Sequence, residues 1–227
     1  MGFSRFVQAP ALVLTGEQRA TLVRRTYLLV FASVIVTMIA TGVTMTQEAL
    51  LVSAAQHPFL IMLLAIVPLL MAMSARKNAP RALAFVFLFN LVMGVSIAPI
   101  IYVYSRRDPG IVAQAGLLTL STFAVLTLYT WMSRRDFSAW GSFLIIGVWV
   151  LLGTMLLNYF FGNATGGLWI AAVGVLVFSG LLVFDTWRLR NVYGPDDYVP
   201  AAVQIYLDLL NMFLFILQLL GGGRSRN

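Results

Sequence analysis

Seven apolar stretches run along this chain, most of them long enough to cross a lipid bilayer as a helix. A helix needs about 20 predominantly apolar residues to span the hydrocarbon core. The chain is 60% apolar and only 10% charged, so no stretch remains for a separate soluble catalytic domain. We therefore predict an all-α membrane protein in which seven transmembrane helices account for nearly all of the residues.

Polar breaks between the apolar stretches set the predicted spans. They cover residues 22–43, 58–75, 80–104, 111–132, 137–161, 167–186 and 200–220. Thr15-Gly16-Glu17-Gln18 matches a capping box and predicts a helix start ahead of the first span. The last helix is expected to stop at Gly221-Gly222-Gly223, because glycine favours helix ends.

The basic residues predict the orientation of the chain, since cytoplasmic loops carry an excess of Lys and Arg. With seven spans and a cytoplasmic N-terminus, eleven basic residues fall inside and four outside. The eleven are Arg5, Arg19, Arg24, Arg25, Arg76, Lys77, Arg81, Arg134, Arg135, Arg188 and Arg190; the four are Arg106, Arg107, Arg224 and Arg226. A re-entrant last segment would also place Arg224 and Arg226 inside, and this alternative stays open.

The predicted domain organisation follows from the spans and the orientation. It consists of a cytoplasmic segment over residues 1–21, a transmembrane domain over 22–221 and a short basic tail over 222–227. The net charge of +7 sits at the ends of the apolar stretches, as topology signals do, which argues against a nucleic-acid partner. The lipid bilayer is the expected surrounding partner.

Cysteine is absent from the chain and there is a single histidine, His57. These counts exclude disulfides, thiolate metal sites and cysteine nucleophiles, and they argue against a zinc centre. We expect no bound cofactor.

Two aspartates, Asp185 and Asp208, interrupt the apolar stretches near the end of the chain. An ionised carboxylate at the centre of a membrane helix costs about 3 kcal/mol on insertion scales, so such a residue marks a candidate functional site. The other six acidic residues fall in tails or between apolar stretches. Asp185 and Asp208 are therefore the residues that a function must explain.

The last predicted helix carries a stripe of mostly polar residues at helical spacing. Its members are Gln204, Asp208, Asn211, Phe215 and Gln218. Polar groups inside a membrane turn toward protein or a water-filled cavity, so the stripe predicts a central helix that faces a polar path. Gln204, Asn211, Gln218 and, on the third span, Asn90 are candidates to line that path. For Gln204, Asn211 and Gln218 the alternative is hydrogen bonding between helices, and for Asn90 the alternative is packing.

A short loop joins the two helices that carry Asp185 and Asp208, so their carboxyl groups are expected to come close. Two close carboxylates in a low dielectric cannot both ionise cheaply, and the pair would titrate as a unit. A shared proton would then act as a latch that holds when protonated and repels when ionised. Arg76, at the end of the second span, is the predicted third member that tunes this switch. The alternatives are that Asp185 pairs with Arg188 or Arg190 at the helix end, and that Arg76 is only a topology charge.

The residues around both aspartates resemble the Bax inhibitor-1 family, also called the transmembrane BAX inhibitor motif family. The similar motifs are Leu182-Val183-Phe184-Asp185-Thr186 and Ile205-Tyr206-Leu207-Asp208-Leu209-Leu210-Asn211-Met212-Phe213. The likeness covers residues 24–220, and the short loops resemble those of prokaryotic members. It implies a bacterial plasma membrane protein whose last helix is wrapped by the other six.

The same resemblance implies a function, which is a pH-sensitive calcium leak. It also implies that Asp185 and Asp208 match the paired aspartates of the family, and that Arg76 matches the basic residue associated with them. Calcium would then be a permeating ion held weakly and transiently by the two carboxylates, because a tight site needs six to eight oxygens. A second hypothesis is a non-conducting modulator of a membrane-bound protease. A third is an intramembrane aspartyl protease, but Tyr206-Leu207-Asp208-Leu209 lacks the Gly-x-Gly-Asp context of such enzymes. We therefore do not expect an enzyme.

Overall fold

The computed structural model describes residues 14–75, 78–161 and 164–223. Over these residues the protein is all-helical, with eight α-helices and no β-strand. The helices are α1 (Gly16–Thr46), α2 (Glu48–Gln56), α3 (Pro58–Ser74), α4 (Ala79–Arg107), α5 (Ile111–Met132), α6 (Trp140–Phe161), α7 (Ala164–Asn191) and α8 (Tyr198–Gly223). The predicted all-α membrane class is confirmed.

Six of these helices are long and apolar enough to cross a membrane: α1, α4, α5, α6, α7 and α8. The short helices α2 and α3 meet at 94°, and together they form a seventh span or a re-entrant loop. The described part of the chain therefore contains six candidate spans, or seven if the bent pair counts as one.

Helix α2 was not predicted from the sequence, and a proline explains why it is separate from α3. Pro58 is the first residue of α3, a position where its missing N–H costs nothing. The ring of a proline disfavours helical geometry at the residue before it. His57 accordingly lies outside the helical region, at φ −124° and ψ 50°, and the chain turns there.

The two predicted helix ends had different outcomes. The capping box is confirmed, because the Gln18 backbone N–H donates to Thr15 Oγ1 at 3.3 Å and the Thr15 N–H donates to Gln18 Oε1 at 3.0 Å. The predicted stop at Gly221 was wrong, because α8 continues through the glycines to Gly223. Packing accounts for this, since a Cβ on Gly221 would collide with the ring of Tyr104 on α4.

Helix α8 is the most buried of the candidate spans, because 56% of its apolar, membrane-length stretch is buried inside the protein. It packs against α1, α3, α4, α5 and α7. Helix α6, in contrast, packs against α7 and against no other described helix. The expected ring of six helices around α8 is therefore incomplete on the side of α6.

Helices α1 and α4 approach each other closely where Gly94 faces α1. A Cβ on Gly94 would lie 2.5 Å from the Cβ of Ala40 and 2.6 Å from the backbone oxygen of Thr37. The Thr41 hydroxyl donates to the Gly94 carbonyl at 3.0 Å across the same contact. Small residues of this kind allow membrane helices to pack backbone to backbone.

We predict that Gly94→Ala lowers the free energy of unfolding by about 1–3 kcal/mol, because the added methyl group forces α1 and α4 apart. Gly116→Ala on α5 is the matched control, since a Cβ there meets nothing within 4 Å. Thermal unfolding of the two purified variants in the same detergent measures the difference. Equal unfolding temperatures would contradict the close contact.

Candidate functional site

Asp185 on α7 and Asp208 on α8 meet at the interface between these two helices. Both are buried, with 6% and 5% of their surface exposed. Their carboxyl groups lie close enough to interact electrostatically. Two carboxyl groups that interact in a low dielectric cannot both ionise cheaply.

Arg188 is the cation that the structure pairs with Asp185. Its Nη1 lies 3.1 Å from Asp185 Oδ1, one helical turn away on α7. The same nitrogen donates to Gln204 Oε1 on α8 at 2.9 Å. Of the partners left open for Asp185 by the sequence, the structure selects Arg188.

Arg190 has a different role from Arg188. It donates through Nη1 to the backbone oxygens of Thr130, Trp131 and Ser133, at 2.8, 2.9 and 2.8 Å. These carbonyls end α5, so Arg190 joins α7 to the end of that helix.

The surroundings of the two carboxyl groups differ. Asp185 has the Arg188 guanidinium, whereas Oδ2 of Asp208 is buried and has no hydrogen-bond partner among the described residues. A buried charge without a partner is costly, so a negative charge is better accommodated on Asp185.

Tyr193, in the turn between α7 and α8, adds a further contact to this site. Its hydroxyl donates to Gln204 Oε1, and its ring centre lies 4.7 Å from the guanidinium carbon of Arg188. Burial raises the pKa of Tyr193, so the hydroxyl stays protonated and remains a donor at neutral pH. The sequence offered no signal for Tyr193, whereas Arg188 was signalled by its spacing from Asp185.

The stripe on α8 faces α7 for most of its length. Gln204 contacts Arg188, Asp208 contacts Asp185, and Phe215 packs against Phe178 of α7 at 5.8 Å between ring centres. These side chains occupy the interface between two packed helices.

The remaining amides of the stripe make hydrogen bonds of their own. Asn211 Nδ2 donates to the Leu207 oxygen of its own helix at 2.8 Å. Gln218 Nε2 donates to the Gly167 oxygen of α7 at 3.2 Å, as expected of hydrogen bonding between helices. Gln218 also lines a cavity of about 190 Å³ together with Met155, Asn158, Gly167 and Ile170.

The structure does not bring the other two candidate residues to the carboxyl pair. Asn90 is fully buried, and its backbone oxygen accepts a hydrogen bond from Thr37 Oγ1 at 3.3 Å. The same Thr37 oxygen lies 2.7 Å from the Tyr206 hydroxyl. Tyr206 is two residues before Asp208 and so points to the opposite side of α8. Arg76 lies outside the described residues.

The carboxyl pair offers few ligands for a metal ion. Among the described residues, no group of three or more His, Cys, Asp or Glu side chains is placed to hold one. Calcium takes six to eight oxygens, so two carboxyl groups alone do not make a tight site.

Comparison with known proteins relates the sequence of this chain to one family. The family model described as inhibitor of apoptosis-promoting Bax1 matches residues 19–226. Bax inhibitor 1 of Schizosaccharomyces pombe is 32% identical over 207 residues, covering 89% of this chain and 77% of the relative. Protein lifeguard 4 of Mus musculus is 31% identical over 205 residues, covering 89% and 85%. An uncharacterized membrane protein of Vibrio cholerae is 32% identical over 225 residues, covering 97% of both chains.

We predict that Arg188→Ala lowers the free energy of unfolding by about 2–3 kcal/mol, because it leaves Asp185 as a buried charge without its cation. Adding Asp185→Asn to that variant should recover part of the loss. Arg134→Ala is the control, since Arg134 is exposed in the loop between α5 and α6. Thermal unfolding measures the stability of each variant. If the double variant is no more stable than Arg188→Ala, the ion pair is not the source of the stability that Arg188 provides.

Proposed function

This chain belongs to the Bax inhibitor-1 family, and we propose that it is a pH-sensitive calcium leak channel gated by Asp185 and Asp208. The observation that carries the proposal is the contact of two buried carboxyl groups across the α7–α8 interface. A buried carboxyl pair is expensive in a membrane protein, and helix packing alone does not require one.

The latch follows from the charges around the pair. With one proton present, Asp208 donates to Asp185, Arg188 balances the remaining negative charge, and α7 and α8 stay together. Loss of that proton places two negative charges beside one cation. Two unit charges about 4 Å apart repel by about 4 kcal/mol at an effective dielectric constant of 20. The latch is therefore closed at acid pH and opens as the pH rises.

The proposed arrangement in the membrane has seven spans, with α2 and α3 together forming the second. Helix α8 is central, which its contacts with five other helices support. The N-terminus and the α7–α8 turn face the cytoplasm of a bacterial cell, as the excess of basic residues on that side favours.

Separation of α7 from α8 would create the ion path. Gln204 and Gln218, which are hydrogen-bonded to α7 in the closed interface, would then become available as oxygen ligands. Asn211 and, farther away, Asn90 would be further ligands. Ion conduction needs weak sites, because an ion must leave as well as enter. Arg76 stays a prediction as the basic residue that tunes the gate.

We predict opposite effects of two substitutions of Asp208 on calcium flux into liposomes. Asp208→Asn keeps a hydrogen-bond donor but cannot ionise, so flux should stay low from about pH 5 to about pH 8. Asp208→Ala removes the latch, so flux at acid pH should rise on the order of tenfold, as about 1.4 kcal/mol of lost closure would give. The wild-type protein should change from low to high flux across the same series.

The control for these variants is Asp136→Asn, which makes the same chemical change in the exposed loop before α6. It should follow the wild-type pH profile. An absence of flux at every pH from folded wild-type protein would overturn the channel proposal, and would favour the modulator of a membrane-bound protease instead.

We also predict the sidedness of the loops, which the absence of cysteine makes simple to measure. In right-side-out vesicles, Glu48→Cys in α2 should react with a membrane-impermeant maleimide. Ser138→Cys, before α6, should react only after the vesicles are opened. Both residues are exposed to solvent in the protein. The reverse labelling pattern would overturn the proposed orientation.

A further inference from the structure

The turn between α7 and α8 places a buried aromatic ring beside the carboxyl pair. Turn residues are usually exposed, yet only 7% of Tyr193 is accessible to solvent. Its ring packs on the Arg188 guanidinium, and its hydroxyl bonds to Gln204. We call Tyr193, Arg188 and Gln204 the turn cap.

The turn cap spans the gap between the two helices, between the carboxyl pair and the turn. Arg188 follows Asp185 by three residues, and Gln204 precedes Asp208 by four, so each lies one helical turn nearer the loop. Arg188 joins Asp185 to Gln204, and Tyr193 contacts both Arg188 and Gln204. Solvent approaching the pair from the turn therefore meets these three side chains first.

A residue of α1 holds the turn cap in place. Arg19 donates through Nη1 to the backbone oxygen of Leu189 at 3.0 Å and to that of Tyr193 at 2.8 Å. The backbone of Tyr193 is also held to α7, since its N–H donates to the Arg188 oxygen at 3.0 Å. The backbone of Tyr193 is therefore fixed to both α1 and α7, and this fixed backbone keeps the base of its side chain beside Arg188.

We propose that Tyr193 is a positioning residue that seals the Asp185–Asp208 pair from the aqueous phase at the α7–α8 turn, and that Arg19 keeps this seal closed. This inference rests on the proposed gate and adds how water and ions are kept from it. The charged groups that face Tyr193 are Arg188 and Asp185 of α7, Asp208 of α8, Asp197 of the turn and Arg19 of α1. Separation of the two carboxyl groups and release of the turn would thus be linked steps.

The test uses a buried cysteine as a reporter of solvent access in the full-length protein. Thr186 adjoins Asp185, is fully buried, and has no hydrogen-bond partner for its hydroxyl within the described residues. Thr186→Cys is a change of similar size in a chain without natural cysteine. The rate of its reaction with a small charged thiol reagent measures access, and calcium flux at acid pH is measured on the same liposomes.

Tyr193→Ala should speed the labelling of this reporter roughly tenfold and raise flux at acid pH, because the closed arrangement loses its cover. Tyr193→Phe keeps the ring over Arg188 and should have a smaller effect. Arg19→Gln should act like Tyr193→Ala, whereas Arg24→Gln, an exposed arginine on the same helix, should not. A single symmetric elution peak in size-exclusion chromatography establishes that each variant is folded.

Tyr198→Ala is the matched control. Tyr198 begins α8 and lies under the guanidinium of another arginine, Arg25, at 5.9 Å, but makes none of the turn-cap contacts. Equal labelling rates for Tyr193→Ala and Tyr198→Ala would overturn the seal.

If wild-type protein shows no flux but Tyr193→Ala still exposes the reporter, the seal stands and the channel proposal falls. If flux depends on Asp208 but neither readout responds to Tyr193→Ala, the seal falls and the channel stands.

Discussion

The packing of α7 against α8 is built around two buried carboxyl groups, those of Asp185 and Asp208. Among the described residues, Asp185 has the Arg188 guanidinium beside it, whereas Oδ2 of Asp208 has no hydrogen-bond partner. The ion pair offsets part of the cost of burying two acidic side chains, at 6% and 5% exposure, within a helix pair. The contacts of Gln204 and Tyr193 are arranged around the same guanidinium, so they depend on the same ion pair.

Much of the fold could be predicted from the sequence, because length and hydropathy determine which segments can span a bilayer. All seven predicted spans correspond to helices, and the α1 capping box forms as expected. Helix α2 was missed because nine residues of mixed character resemble a loop. The continuation of α8 through Gly221 was missed for a different reason, since it depends on the proximity of Tyr104, which no local pattern records.

The candidate site was predictable only in part. The two aspartates stood out by charge, and the short loop between their helices indicated that they would meet. The direction of the stripe on α8 could not be known from spacing alone, because periodicity shows which residues share a face but not which helix that face contacts. Asn90 was grouped with the stripe by its polarity, yet it lies on the side of α8 that Tyr206 faces. Tyr193 and Arg19 act through tertiary contacts that join distant parts of the chain.

The arginines at helix ends have a consequence for how this protein tolerates mutation. Arg19 and Arg190 each direct one guanidinium at the carbonyl oxygens that close a neighbouring helix, α7 and α5 respectively. The carboxyl end of a helix carries the negative pole of its dipole, so a cation there stabilises the helix as well as the contact. Arginines that the sequence marks only as basic residues at the ends of apolar stretches are thus also helix caps in the folded protein. Replacing either arginine would therefore remove a cap of a neighbouring helix together with the contact between two helices.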